Sequence, residues 1–166
     1  MCIRDRGVAE KRIHYGATFA VLAIAALAFS LLQSMIIPAI PELEHALHTS
    51  ATGATWLLTA YLLSAAIATP ILGRVGDMVG KEKMLVVVLV LLSLGTLLSA
   101  VATSLTVMLV GRAIQGTVGA VFPLAFGIIR DEFPRARVST GIGVMSAILG
   151  IGVGGGIVLA LSLIHI

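Results

Sequence analysis

Five long apolar runs organise this chain, and charge is confined almost wholly to the short segments between them. The runs are approximately Ala17–Ile37, Thr52–Leu72, Met84–Thr103, Thr106–Ile129 and Val138–Leu161. Each is near the roughly 20 residues that an α-helix needs to cross the hydrocarbon core of a bilayer. Only the fourth holds a charge, Arg112. The alternating ten-residue segments of a membrane barrel are absent from the sequence, which leaves the helix as the way to satisfy the backbone in lipid. The pattern predicts an all-α polytopic membrane protein with about five transmembrane helices. The first run is too long for the apolar part of a cleaved signal peptide, and no A-x-A-like site follows it ahead of a soluble domain.

Composition agrees. The chain is 58% hydrophobic and 11% charged, against roughly 25% charged in an ordinary soluble domain. A water-soluble core could not cover that much apolar surface. The net charge of +3 suggests a nucleic-acid partner only until the bases are located. With the N-terminus in the cytoplasm, Arg4, Arg6, Lys11, Arg12, Arg74, Lys81, Lys83, Arg130, Arg135 and Arg137 all lie inside, and only Arg112 remains. The outer connections, Pro38–Ala51 and the turn near Ser104, carry no Lys or Arg. That asymmetry is the positive-inside pattern of a multi-pass protein of the inner (plasma) membrane, and it explains the basic charge without nucleic acid. The single cysteine, Cys2, excludes an internal disulfide. No cofactor or metal is expected: His45 and His48, three apart in the outer loop, lack further ligands.

Between the second and third runs stands Gly73-Arg-Val-Gly-Asp77-Met-Val-Gly80-Lys81-Glu-Lys83. The glycines predict tight turns and the charges a polar hinge. Asp77 has two readings. It caps the third helix, or it forms, with Lys81, a contact that holds one conformation and breaks in another. Asp131 or Glu132, at the inner end of the fourth run, is the expected partner of Lys81.

Arg112 lies about six residues, roughly 10 Å, inside the outer end of its span. A charge there costs at least roughly 2.5 kcal/mol unless it faces protein or water. It either snorkels outward or joins Gln115, Gly116 and Gly119, at i+3, i+4 and i+7, in a stripe facing the bundle. Ser30, Gln33 and Ser34 share a face of the first run, and Gln33 lines a cavity or bonds between helices. The fifth run is dense in glycine, with small-xxx-small pairs at Gly150/Gly154 and Gly152/Gly156 that permit close helix approach.

These segments together resemble the major facilitator superfamily. The Gly73–Lys83 string is similar to its signature loop between helices two and three, and Arg112-Ala-Ile-Gln115-Gly116-Thr-Val-Gly119 to its fourth-helix pattern. Trp56-Leu-Leu-Thr-Ala-Tyr61-Leu-Leu-Ser64, Thr69-Pro70, Phe133-Pro134 and Arg137 resemble the drug:proton antiporter branch with fourteen helices. The likeness covers about residues 28–160. It implies five helices of the N-terminal six-helix half, with the remaining helices, lipid, protons and a small-molecule substrate as partners. It also implies proton coupling at Arg112, gating at Gly73, Asp77, Gly80, Lys81 and Asp131, and substrate contacts at Gln33, Ser34, Tyr61 and Gln115. Two departures stand out. Leu32 and Ile37 occupy the positions of the branch's usual acid and asparagine, and Gly152-Val153 replaces a Gly-Pro pair. Met1–Arg6 and the last six residues resemble translated adapter strings, so residues 7–160 are expected to be the native segment.

Proton-coupled efflux of hydrophobic or drug-like compounds is the function implied; a metabolite or sugar porter and a non-transporting membrane subunit are the alternatives. An enzyme is disfavoured, because the runs hold no His, Cys or acid. No G-x-x-x-x-G-K loop marks an ATP-driven pump.

Overall fold

Each apolar run folds as a helix, and most outlast the apolar stretch that predicts them. The computed structural model describes residues 15–165, and among them there are helices and turns but no strand. The expectations for Met1–Arg6, Lys11 and Arg12 lie outside the described residues. The helices are α1 (Tyr15–Ala46), α2 (Ala51–Val79), α3 (Lys81–Ala100), α4 (Leu105–Gly116), α5 (Val121–Glu132) and α6 (Arg135–His165). A 3-10 turn, Thr117–Ala120, joins α4 to α5, so that both belong to one span, Leu105–Glu132. Five helical spans result.

Two expected loops are helical instead. The 32 residues of α1 extend about 48 Å, well past a hydrocarbon core about 30 Å thick. They carry the helix through Pro38 and Pro41 to Ala46, where a connection was expected from Pro38 onwards. Proline removes one backbone donor, a loss that membrane helices tolerate when nearby groups take up the freed carbonyls. Likewise α2 runs past Leu72 to Val79, so nearly all of the expected hinge is helix. Hydropathy marks where lipid ends, whereas backbone bonding decides where a helix ends. At the far end of the bundle the restarts are capped by serines: Ser50 accepts from the Gly53 amide at 3.3 Å, and Ser104 from the Val107 amide at 3.5 Å.

The helices pack in two groups. α1 lies along α6, whereas α4 is wedged between α2 and α3. α5 joins the groups. Its Leu124, Ala125, Ile128 and Ile129 are buried against Leu22 and Ala26 of α1, Leu85 and Val88 of α3, and Met145 of α6. The rings of Phe29 in α1 and Phe122 in α5 meet edge to face at 5.0 Å. In lipid, apolar area drives helix association only weakly, so close approach through small residues must supply the attraction. Gly95 on α3 lies 2.9 Å, measured from the Cβ it lacks, from the Gly111 carbonyl of α4. Gly116, measured in the same way, is 2.5 Å from the Tyr61 carbonyl of α2. Apolar side chains such as Ile24, Leu63, Ile67 and Leu97 cover the outer faces.

The 3-10 turn frees one carbonyl, which a neighbouring helix takes up. Thr117 donates its amide to Ile114 within the tightened turn, which takes from the Ala113 carbonyl its usual partner four residues on. The Ser64 hydroxyl of α2 donates to that carbonyl instead.

Candidate functional site

One residue makes the sharp turn between α2 and α3. Gly80 has φ +113°, a conformation that favours glycine because a Cβ would clash. Its amide donates to the Gly76 carbonyl at 2.9 Å, and its own carbonyl accepts from the Met84 amide at 3.1 Å. It therefore ends one helix and starts the next. Gly73 plays no such part: it lies inside α2, with Pro123 Cγ 4.0 Å from the Cβ it lacks. This corrects the expectation that both glycines supply turns.

The short hinge places Asp77, in the last turn of α2, four residues before Lys81, the first residue of α3. Lys81 Nζ stands 3.4 Å from Asp77 Oδ1 and 2.6 Å from Asp131 Oδ2 on α5. The ammonium thus ties three helices together. Asp77 does not cap α3, whose N-cap is Gly80 without a side-chain bond. The carboxylate lies one turn too early and is spent on Lys81. Between the helices a cleft of about 330 Å³ opens, lined by Gly76, Asp77, Lys81, Glu82, Asp131 and Glu132. Asp77 and Asp131 are largely exposed while Lys81 is 24% exposed, so each pair contributes only about 0–1 kcal/mol.

Arg112 and Tyr61 form a second locus. Tyr61 is buried, and its backbone carbonyl faces α4 at Gly116, one turn from Arg112. Arg112 Nε is buried with no hydrogen-bond partner among the described residues. The predicted stripe around it divides between two neighbours. Gly116 and Gly119 approach α2, at Ser64 and at Thr69, whereas Gly111 and Gln115 face α3. Gln115 Nε2 donates to Thr96 Oγ1 at 3.1 Å and is 5% exposed. It serves as a link between α4 and α3. In a helix wedged between two others, opposite flanks of one polar stripe touch different partners.

Ser34 also lies at a contact between helices, α1 and α6. Its hydroxyl donates to the Ser30 carbonyl at 2.9 Å and lies 3.4 Å from the Gly152 carbonyl of α6. Gln33, half-buried, neighbours it on α1. The close approach of α6 is made at Gly152, which meets Ser30, and at Gly156, which meets Ser34 and the Leu31 backbone. Nothing among the described residues comes within 4 Å of a Cβ at Gly150 or Gly154. The contact with α1 is made by the Gly152/Gly156 row, because the helical period turns only one of the two small-residue rows toward α1. Sequence reasoning missed Gly76, Gly95, Gly111 and Ser64. Their signal is a small residue one or two turns from a polar one on a neighbouring span.

Among the described residues no group of three or more His, Cys, Asp and Glu side chains is arranged to hold a metal ion. Comparison with known proteins accords with the hinge and the five spans. Residues 22–166 match the profile of the Major Facilitator Superfamily. The uridine/deoxyuridine transporter of Lactococcus lactis subsp. cremoris (strain MG1363) is 34% identical over 126 residues, 74% of this chain and 26% of that protein. The MFS-type efflux pump MMF1 of Pseudozyma antarctica (strain T-34) is 31% identical over 133 residues, 80% of this chain and 24% of the pump. The tetracenomycin C resistance and export protein of Streptomyces glaucescens is 26% identical over 134 residues, 80% and 25% respectively. The chain spans about a quarter of the length of these curated relatives. With a family profile covering most of its length, five apolar spans and a charged hinge between the second and third, the chain belongs to the major facilitator superfamily.

Proposed function

We propose that this chain is the N-terminal five-helix part of a secondary transporter that exports small hydrophobic or drug-like compounds in exchange for protons. It sits in the plasma membrane with its N-terminus and the α2–α3 hinge in the cytoplasm, and works by alternating access about a midplane site. The observation that carries this reading is the clasp of Lys81 between Asp77 and Asp131. A clasp of exposed charges adds little to stability, but alternation needs little. Two conformations of nearly equal energy are shifted tenfold in population by about 1.4 kcal/mol. Closing the cleft strengthens the clasp and opening it breaks the clasp, so Gly80, Asp77, Lys81 and Asp131 bias the inner gate.

Arg112 is the coupling candidate, because an arginine inside a span holds its place only through protein or water contacts. Gln33, Ser34, Tyr61 and Gln115 are the candidates for substrate contact. The tetracenomycin exporter and the efflux pump support export. A second reading, a nucleoside or other metabolite porter, is favoured by the 34% identity to the uridine/deoxyuridine transporter. The test is substrate-driven proton release from proteoliposomes holding the full-length transporter, with drug-like cations and uridine as alternative substrates. Proton release with the drug-like compounds supports export by exchange. Uridine flux alone selects the second reading, and no flux of either kind with well-inserted protein sinks both.

A further inference from the structure

The ammonium of Lys81 reaches α5 by an unusual route. Its stem crosses the helix at Gly127, where a Cβ would stand 2.8 Å from Lys81 Cδ and Cε and 3.3 Å from Nζ. Ordinary van der Waals contact begins at 3.4 Å. Gly127 precedes Asp131 by four residues, so both lie on one face of α5, one turn apart. The bare backbone at Gly127 is therefore the floor on which the lysine stem lies flat, and Asp131 stands at the end of it, 2.6 Å from Nζ.

We propose that Gly127 is a positioning residue for the hinge clasp: its missing side chain sets the path of Lys81 and so directs the ammonium to Asp131 as well as to Asp77. Any Cβ at this position lifts the stem off α5. The bond to Asp131 lengthens, because the path the stem takes to that carboxylate runs across the notch. The bond to Asp77 survives, because Asp77 is approached from α2 across the Gly80 turn. Gly127 thus decides whether Lys81 ties three helices or two. The consequence for transport rests on the gating reading above, but the positioning itself does not.

A carbodiimide reports the geometry directly. It activates a carboxylate, and an amine in contact with it displaces the urea to leave an amide. In the full-length transporter, Lys81 is expected to give two such amides, one to Asp131 and one to Asp77, separable by peptide mass spectrometry. Gly127→Ala should lower the yield of the Lys81–Asp131 product at least threefold relative to the Lys81–Asp77 product, which serves as the internal standard. Alanine favours helix more than glycine does, so a change in that ratio does not reflect loss of α5. An unchanged ratio overturns the proposal. So does a variant that fails to insert, because the added methyl would meet only a flexible stem. Transport by the same variant is a separate measurement. If the ratio falls while flux stays normal, the positioning stands and the gating reading fails.

Discussion

The seam between α1 and α6 allows the packing of a glycine to be separated from its effect on the helix. Gly156 and Gly154 lie two positions apart in α6, so alanine raises helix propensity equally at both, by up to about 1 kcal/mol. Only one of them faces α1. A Cβ at Gly156 would collide with the Ser34 hydroxyl and stand 2.8 Å from the Leu31 carbonyl and 3.2 Å from the Leu31 Cα. The Ser34 clash can be relieved by rotation, but the two backbone contacts require the helices to separate. At Gly154 the methyl meets nothing within 4 Å. Overpacking a fitted contact costs typically about 1–3 kcal/mol, and the propensity gain cancels in the comparison. Gly156→Ala should therefore be less stable than Gly154→Ala by about 1–3 kcal/mol. The assay is reversible unfolding of the 166-residue chain in bicelles by added denaturing detergent, so that no further helix can touch Gly154. Adding Ser34→Ala to Gly156→Ala should recover only part of the loss, since the Leu31 backbone still obstructs. Equal stability of the two single variants would refute this account of the seam.

Four further outcomes are expected. Cysteines placed singly at Ser50 and Arg135 in the full-length protein should label from opposite sides of the membrane; labelling from one side would overturn the proposed orientation. Asp77→Asn should insert normally yet cut transport several-fold, because the positive-inside charge is kept while a contact specific to one conformation is lost; normal flux would remove Asp77 from the gate. Gln115→Leu should destabilise the bundle by about 0.5–2 kcal/mol through loss of its bond to Thr96, read by the same detergent unfolding, and an unchanged transition would deny that link. Arg112→Lys should impair proton exchange although the charge is kept, because lysine lacks the planar fork of five donors. Near-normal exchange by that variant would return Arg112 to the snorkelling reading.

Much of the architecture was legible because lipid is a simple solvent. A run of about 20 apolar residues has one viable backbone conformation in it, so all five spans could be read from hydropathy. The Lys81–Asp131 contact was also within reach, since both residues fall at the same end of adjoining spans and only Asp131 or Glu132 offered a carboxylate at that end of the fourth. Helix ends were less legible. Pro38, Pro41 and Gly73 are loop signals in water, yet all three lie within helices here.

Local sequence sufficed for the number of spans, their helical state, and a charged glycine-bearing turn between the second and third. These follow from local chemistry: hydropathy over one helix length, and a backbone angle that glycine alone adopts easily. Which of the glycines makes that turn, and which face of each helix meets which neighbour, follow from packing. Gly150/Gly154 and Gly152/Gly156 have the same spacing, and nothing local distinguishes them. The difference arises because Ser30 and Ser34 of α1 stand against the second pair, a contact more than a hundred residues away in the chain. The stripe of Arg112, Gln115, Gly116 and Gly119 is likewise one row in sequence but two interfaces in space, because α4 is wedged between α2 and α3. A helix carries its period within itself, but the direction of that period is set by the helices beside it.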